Sequence, residues 1–509
     1  MSNKIRLRFA PSPTGPLHIG GLRTALYNYL IAKNLNGTFI LRIEDTDLSR
    51  FNKKAEDHII DSLNWCGLEL DESPQKPGKF GPYRQSERKI IYKEHVDLLL
   101  KKGRAYYAFD TKDELDCLRE EFEKWGETFI YNWKNRNRLK NTISLNKEQS
   151  SSFIEKGDYV IRYKMYDSKD KKDNILIKDE IRGNISVDKK ILDDKIIFKK
   201  DGMPTYHLAN VVDDHLMKIT HVVRGEEWLP SLALHSSLYR SFEWNKPIFA
   251  HLPLILKPTG KGKLSKRDGK KFGIPVYPIA WVDKEDNFNG FREIGFQKEA
   301  LINFLSLIGW NPGDEKEIFS IKELINKFSL DRIIKSGAKY DYDKAIWFNQ
   351  EHIKNINSEK IRDNLHNKII SKYNNQINEN KVLELIELVK DRVKFKKDIY
   401  NECVSALEFN GKSFKENHSI ISKEFGLKSV ILELKNEIEK SNKKEVDDIK
   451  EVYFSKLKDN NIKIGSGMRG LRISITGKTS GPNLFKIATI LKKDEIIKRI
   501  EHSLISLDD

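Results

Sequence analysis

Cysteine is scarce in this sequence. The 509 residues include only Cys66, Cys117 and Cys403, far apart and odd in number. A disulfide framework is therefore not expected, nor a cysteine-rich zinc knuckle, and a reducing cytoplasm is the natural compartment. Long apolar runs are also missing. No stretch approaches the roughly 18 residues of a membrane-spanning helix, so no membrane partner is expected. The opening residues lack the apolar core of a secretory signal, and tandem repeats and biased tails are absent. What the chain does have is length for roughly two to four structural units. It is 39% hydrophobic, enough for sizeable cores, and 33% charged. The 91 Lys and Arg against 75 Asp and Glu leave a net charge of +16. Such a field attracts polyanions, but a Lys- and Asn-rich composition has the same consequence, so charge alone does not name the partner.

Ile5, Leu7 and Phe9 alternate with Lys4, Arg6 and Arg8, the pattern of a half-buried strand. A Pro/Gly turn over 11–16 follows, then a helix over 20–35 with Leu22, Leu26, Tyr29 and Leu30 on one face and Gly37 placed to end it. A strand over 38–43 completes a βαβ unit and predicts a parallel sheet. A second such region spans about 195–257, with strand-like runs at 219–223 and 253–256. Between the two, residues of about 82–194 are Lys/Asp-rich and irregular, as expected of a domain inserted into a split nucleotide-binding fold. From about Gln297 onward the pattern is helical, as in Val382-Leu383-Glu384-Leu385-Ile386-Glu387-Leu388-Val389.

Two strings carry chemistry. Pro16-Leu17-His18-Ile19-Gly20-Gly21 lies between a strand and a helix N-terminus. Free amides and the helix dipole favour an anion there, the glycines permit close backbone approach, and His18 can donate to a phosphate. Lys263-Leu264-Ser265-Lys266-Arg267 is a cation cluster within a glycine-flanked loop over 260–269. It is expected to be mobile and able to close over a triphosphate, where one such donor is worth roughly 3 kcal/mol in the transition state. Each string alone reads more readily as a glycine turn or a solvated loop. Together, on the two halves of a split α/β fold, they point to one nucleotide site. Gly465-Ser466-Gly467-Met468-Arg469-Gly470 also fits a dinucleotide pattern, but it lies in helical sequence without the flanking strand and acid that pattern needs.

His18-Ile19-Gly20-Gly21 and Lys263-Leu264-Ser265-Lys266-Arg267 resemble the paired ATP signatures of class I aminoacyl-tRNA synthetases. Arg8-Phe9-Ala10-Pro11-Ser12-Pro13-Thr14-Gly15, Arg42-Ile43-Glu44-Asp45-Thr46-Asp47 and Gly81-Pro82-Tyr83-Arg84-Gln85-Ser86 are similar to the glutamyl-tRNA synthetase versions. So are 206–216, which contains Val211-Val212-Asp213-Asp214-His215, and Val223-Arg224-Gly225-Glu226-Glu227-Trp228. The resemblance is strong over about the first 340 residues and weaker beyond. It implies a Rossmann-type α/β catalytic domain (1–82 and 195–290) split by an inserted α+β acceptor-end-binding domain (83–194). A stem-contact region (291–345) and an all-α anticodon-binding region (346–509) would follow.

The resemblance further implies an ATP-dependent glutamate–tRNA ligase acting on L-glutamate and tRNA(Glu). Mg²⁺ would accompany ATP, and no zinc is expected because 83–194 contains only Cys117. Arg8, Ala10, Ser12, Glu44, Arg50, Tyr206, Asn210 and Arg224 would form the glutamate pocket, Glu44 meeting the amino group. Arg8 and Arg224 would favour a carboxylate over a neutral amide. His18 and Gly20 would meet the ATP phosphates, with Lys263, Ser265, Lys266 and Arg267 in the mobile loop; Glu227 would sit near the ribose, and Trp228 and Leu254 around the adenosine. His18 and Lys266 would be catalytic. Tyr106, Tyr107, Tyr131 and Trp133 offer either a stacking surface for unpaired bases or a small core. The nine Lys/Arg against two acids in 461–500 suit an RNA footprint. Segment 273–291 is longer than in many relatives and close enough to the cationic loop to influence its closure. Alternatives are a non-discriminating enzyme that also charges tRNA(Gln), a small-molecule nucleotidyltransferase, and a catalytically silent RNA-binding protein. A monomer is the family expectation.

Overall fold

The computed structural model describes residues 4–170, 172–283, 287–373, 377–440 and 446–507, with 446–448 described by backbone only. The chain divides into two compact units, Met1–Ile294 with Lys298–Ala345, and Gly295–Gln297 with Ile346–Asp509.

In the first unit, β1 (Arg6–Phe9) leads through α1 (Ile19–Asn34) to β2 (Thr38–Leu41). Next come α2 (Lys53–Trp65), α3 (Lys89–Lys101), β3 (Ala105–Ala108), α4 (Lys112–Lys124), α5 (Lys147–Glu155) and β4 (Val160–Tyr163). The hairpin β5 (Asn174–Asp179) and β6 (Gly183–Asp188) precedes β7 (Ile196–Phe198). Then follow α6 (Tyr206–Leu216), β8 (His221–Gly225), α7 (Leu232–Phe242), β9 (Ile248–Leu252) and α8 (Lys266–Phe272).

The main sheet has the order β2-β1-β8-β9-β5-β6. The first five strands run parallel, and β6 closes the edge antiparallel to β5. The chain leaves β1 for β2 on one side and returns as β8 on the other. Such a reversal opens a crevice beyond the carboxyl ends of the two strands, where ligands of open α/β sheets bind. A three-stranded antiparallel sheet, β3-β4-β7, lies apart. The β5–β6 hairpin thus falls in the middle segment by sequence but hydrogen-bonds with the main sheet.

β1 is buried on both faces rather than half-buried. Leu7 and Phe9 enter the core, while Arg6 and Arg8 each find a carboxylate. Arg6 donates to both oxygens of Glu72 at 2.7 Å. A parallel central strand is covered on both sides, so its arginines must be paired. At the end of α1 it is Asn36, at φ 50°, that takes the left-handed position, and the amide of Gly37 donates to Ala32 O at 2.7 Å. Gly37 is needed for another reason: a Cβ there would stand 2.6 Å from Ile5 O. The strand expected near 253–256 is mostly the earlier Ile248–Leu252. Only Ile255–Leu256 pairs further, with Ala338–Lys339.

The second unit is helical among its described residues. Leu385, Ile386, Val389, Ile399 and Cys403 form part of one core. Val430, Ile431, Tyr453, Leu457, Leu471 and Ile500 form part of another. The glycines of 465–470 belong to the helix Ile464–Thr476. A side chain at Gly467 would run into Leu457, and one at Gly470 would come within 2.6 Å of Leu427. These two glycines serve helix packing.

Candidate active site

A cavity of about 570 Å³ opens where the carboxyl ends of β1 and β8 meet the N-terminus of α1. Phe9, Ala10 and Ser12 line it after β1, and Val223, Arg224, Gly225, Glu227 and Trp228 line it from β8 onward. His18, Gly20 and Gly21 come from α1 and its cap; Lys263, Ser265 and Lys266 come from the cationic loop. Arg8, Glu44, Tyr206, Asn210 and Leu254, also expected from the sequence, line it too.

His18 caps α1. Its Nδ1 accepts the Gly20 N–H at 3.1 Å, so the ring proton sits on Nε2. Burial, reinforced by Lys263 and Lys266, pushes its pKa down to about 4, and the ring is neutral near pH 7. Nε2 is buried and has no hydrogen-bond partner among the described residues. A buried donor without an acceptor is costly. Lying at a helix N-terminus under two lysines, this one fits an anionic ligand oxygen.

The cationic loop is anchored rather than loose at its centre. Leu264 is buried and its amide donates to Ile255 O at 2.8 Å. Ser265 caps α8, its amide donating to Asp268 Oδ2 at 2.8 Å and its hydroxyl at 2.5 Å. Lys266 Nζ reaches the loop after β1, 2.6 Å from where a Cβ on Gly15 would stand. Lys263 pairs with Glu227 at 2.7 Å. Gly225 leaves room for the Glu227 carboxylate, which any side chain at 225 would strike.

The two arginines on neighbouring strands differ in their partners. Arg8 donates through Nε and Nη2 to Asp214, at 2.9 and 3.1 Å. Asp214 also accepts from Arg42 at 2.7 Å, and Arg42 donates to Glu44 at 2.9 Å. Burial raises the Glu44 pKa, opposed by Arg42, Arg8 and the Asn210 amide. Asp213 takes hydrogen bonds from Arg88 (2.7 Å), Gln85 (2.8 Å) and Tyr92 (2.8 Å). The strings at 42–47, 81–86 and 211–215 therefore converge on one buried charge network. Arg224 meets only neutral acceptors among the described residues: Tyr206 Oη at 2.8 Å, His251 Nε2 at 3.0 Å, His235 Nδ1 at 3.4 Å and Trp228 O at 3.5 Å. Burial lowers the pKa of His235 and His251, and an imidazole in either protonation state brings no negative charge to Arg224. An arginine with neutral partners at a cavity wall is suited to a ligand carboxylate. Trp228 packs on Tyr206 with ring centroids 4.3 Å apart and leaves 40% of its surface exposed, a flat apolar wall.

Two expected residues are not brought to the cavity. Arg50 is exposed in the short turn Leu48–Arg50, and Arg267 points outward from the first turn of α8; neither lines it. Conversely, the residues behind Arg224 carry no sequence signal. His251 and Asp179 come from separate strands, and nothing in either string marks them. In the segment after α8, Val276 O accepts the Ile19 N–H at 2.9 Å. His58 Nδ1 accepts the Leu17 N–H at 3.1 Å and its Nε2 donates to Ile279 O at 3.2 Å. Segment 273–291 thus braces the histidine-glycine turn directly; Lys284, Glu285 and Asp286 within it lie outside the described residues.

Of Tyr106, Tyr107, Tyr131 and Trp133, two are core and two are half-buried. Tyr106 and Tyr131 are buried, with hydroxyls donating to Asp194 at 2.7 Å and Asp110 at 2.9 Å. Tyr107 meets Tyr159 edge-on, and Trp133 Nε1 donates to Lys190 O at 3.1 Å. The small-core alternative describes Tyr106 and Tyr131. Of the nine cations in 461–500, Arg472, Lys478 and Arg499 bond backbone oxygens within the second unit, while Lys463, Arg469, Lys486, Lys492, Lys493 and Lys498 are exposed. Among the described residues, no helix is long and apolar enough to cross a membrane.

This mostly parallel sheet, with a phosphate-ready helix turn and an arginine pocket in the crevice of its strand reversal, defines an α/β nucleotide-binding enzyme. The family model described as "tRNA synthetases class I (E and Q), catalytic domain" matches residues 4–347, and an "Anticodon binding domain" model matches 353–504. The chain belongs to the class I tRNA synthetases of this glutamate and glutamine family. It is 48% identical to a glutamate–tRNA ligase of Christiangramia forsetii over 516 residues, covering 100% of each chain. It is 46% identical to the Flavobacterium psychrophilum ligase over 515 residues, again covering 100% of each. A crystal structure of a glutamate tRNA ligase from Elizabethkingia meningosepticum, in complex with its amino acid, superposes with a TM-score of 0.87 at 45% identity, covering 99% of this chain and 100% of that one.

Proposed function

We propose that this chain is a glutamate–tRNA ligase that activates L-glutamate with ATP and transfers it to the 3′ end of tRNA(Glu). The observation that carries the reading is the pairing, in one cavity, of the unsatisfied Nε2–H of His18 with the Arg224 guanidinium that meets only neutral groups. One suits a phosphate, the other a carboxylate.

Arg224 takes the glutamate side-chain carboxylate, with Tyr206 beside it. Arg8 contributes a field already shared with Asp214 and acts chiefly to hold the pocket. Glu44 and Asn210 receive the α-amino group, and Ala10 and Ser12 bound the pocket. The α-carboxylate attacks the α-phosphorus of ATP in line, and pyrophosphate leaves. His18 donates Nε2–H to a phosphate oxygen as charge develops, and Lys266 helps neutralise the phosphates. Gly20 lets the nucleotide approach; Trp228 and Leu254 enclose the adenosine, and Glu227, exchanging Lys263 for a ribose hydroxyl, holds the sugar. Mg²⁺ accompanying ATP would be held mostly by phosphates and water and would supply charge neutralisation. The terminal ribose hydroxyl of tRNA then attacks the adenylate carbonyl, the acyl–phosphate bond breaks, and AMP leaves as the hydroxyl proton is released. Residues 83–194 receive the acceptor end, 291–345 the stem and 346–509 the anticodon, the last through the exposed cations of 461–500. A monomer in the cytoplasm is sufficient for this chemistry.

ATP–pyrophosphate exchange with glutamate, run with and without tRNA, tests the reading. Glutamate-dependent exchange supports it; exchange with glutamine alone, or none under any condition, removes it. Charging of purified tRNA(Glu) and tRNA(Gln) separates a discriminating enzyme from one that accepts both.

A further inference from the structure

Arg224 is held from behind by a pair that belongs to none of the sequence signatures. His251, on β9, and Asp179, the last residue of β5, are both fully buried. Arg224 Nε donates to His251 Nε2 at 3.0 Å, so that nitrogen is bare and the ring proton sits on Nδ1. His251 Nδ1 in turn donates to Asp179 Oδ2 at 2.6 Å. The carboxylate is itself oriented. Its Oδ1 accepts the amides of Arg182 at 2.9 Å, Ile181 at 3.1 Å and His251 at 3.3 Å. A directed chain runs from the turn after β5, through carboxylate and imidazole, to the guanidinium, with every donor and acceptor assigned. It occupies the place where the β5–β6 hairpin joins the main sheet, since β5 pairs with β9 at Asp179↔Phe249.

Resting on the reading of Arg224 as the ligand of the glutamate side chain, we infer that Asp179 and His251 are positioning residues for amino-acid selection. They fix one imidazole tautomer, and that tautomer grips the guanidinium by its Nε edge. The Nη edge, which among the described residues bonds Tyr206, His235 and the Trp228 carbonyl, is left for the substrate carboxylate. A carboxylate in the place of His251 would grip Arg224 as firmly but would neutralise the charge that glutamate must meet. A neutral histidine backed by a carboxylate one step removed orients the arginine and leaves its charge available. The same logic, an acid fixing the tautomer of a histidine that acts on a third group, operates in hydrolytic triads.

The isosteric change Asp179→Asn tests this. Three amides hold Oδ1 as an acceptor, so the new NH₂ must face His251 Nδ1. The imidazole then accepts there and carries its proton on Nε2, donor against donor with Arg224. In tRNA charging by the full-length chain, with glutamate and ATP varied separately, D179N is expected to raise the KM for glutamate about 10- to 100-fold, with the KM for ATP changed less than about twofold. H251Q can accept from Arg224 and donate to Asp179 with the two ends of its amide, so it is expected to retain most of the affinity for glutamate. An unchanged glutamate KM in D179N, an equal rise for both substrates, or an H251Q variant as impaired as D179N overturns the inference. Long-range ¹H–¹⁵N correlation of the wild-type histidines provides a test that needs no variant to fold. His251 should show a protonated Nδ1 and a bare Nε2, and the reverse tautomer also overturns it. Wild-type protein that fails to charge glutamate would remove the reading of the site itself and this inference with it, whereas failure of the variant pattern alone leaves the ligase standing.

Discussion

The two compact units treat charge in opposite ways. In the first, Arg8, Arg42 and Arg88 are buried together with Glu44, Asp213 and Asp214, and further charged residues such as Arg23, Asp179 and Arg224 are buried around them. In the second, the buried polar residues among those described are Asn349, Ser358, Ser474, Thr476 and Ser503, none of them charged. Its described lysines and arginines face solvent, pair with acids near the surface or bond backbone oxygens there. Burying an ion is expensive unless its partners are well placed. The first unit bears that cost where groups must be held in fixed geometry around a small ligand. The second is stabilised by aliphatic packing and keeps its charge outside, where a polyanion can exchange it for counterions. The same net positive composition therefore serves rigidity in one unit and surface attraction in the other.

The buried charge network of the first unit depends most on Asp214. Asp214→Ala leaves Arg8 and Arg42 buried without their shared carboxylate and is expected to cost about 3–5 kcal/mol, measured by urea unfolding. A loss under about 1 kcal/mol would mean the network is no tighter than a surface pair. At the phosphate side, His18→Ala and Lys266→Ala should each slow glutamyl-adenylate formation about 10²- to 10³-fold. Single-turnover rates near wild type in either variant would remove that residue from the mechanism.

Acid sharpens the contrast on a third scale. Burial lowers His18, His207 and His215 from 6.5 to about 4. They stay neutral in the folded chain but take up protons in the unfolded chain once pH drops below about 6.5. Stability should therefore fall between pH 6.5 and 5, above the range where most carboxylates titrate. A urea midpoint constant across that window would contradict their burial. The smallest effect belongs to the outside of the second unit. Lys486→Gln with Lys492→Gln should leave stability within about 0.5 kcal/mol. The tRNA KM should rise roughly 3- to 10-fold, with a shallower salt dependence. A large stability loss with unchanged tRNA use would reverse the roles assigned to those cations.

Much of the catalytic crevice could be read from adjacent residues. A strand, a Pro/Gly turn and a histidine-glycine helix start lie within about a dozen positions, and local hydrogen bonds such as Gly20 N–H to His18 Nδ1 realise what the string implies. β1 shows where such reading stops. Its alternation of Arg with Leu and Phe predicts one wet face, because the string says nothing of Glu72 or Asp214, which bury that face. The string places Gly37 to end α1, but its reason lies across the sheet at Ile5, a contact no helix rule contains. In sequence, Tyr106 and Tyr131 suit stacking or a core equally well. Asp194 and Asp110, which take the hydroxyls of Tyr106 and Tyr131, decided for the core.

By itself the sequence determined the family chemistry: a phosphate-ready helix turn, a cationic loop and arginines suited to an anionic amino acid, all properties of short contiguous strings. Which arginine keeps its charge for a ligand was decided only by the tertiary structure. Arg8 is neutralised by Asp214, 206 positions away in the chain. Arg224 is held by His251 and Asp179 from two further strands. Residue type sets what a guanidinium can bind, but the distance to the nearest carboxylate, which folding alone establishes, sets whether it is still available to bind it.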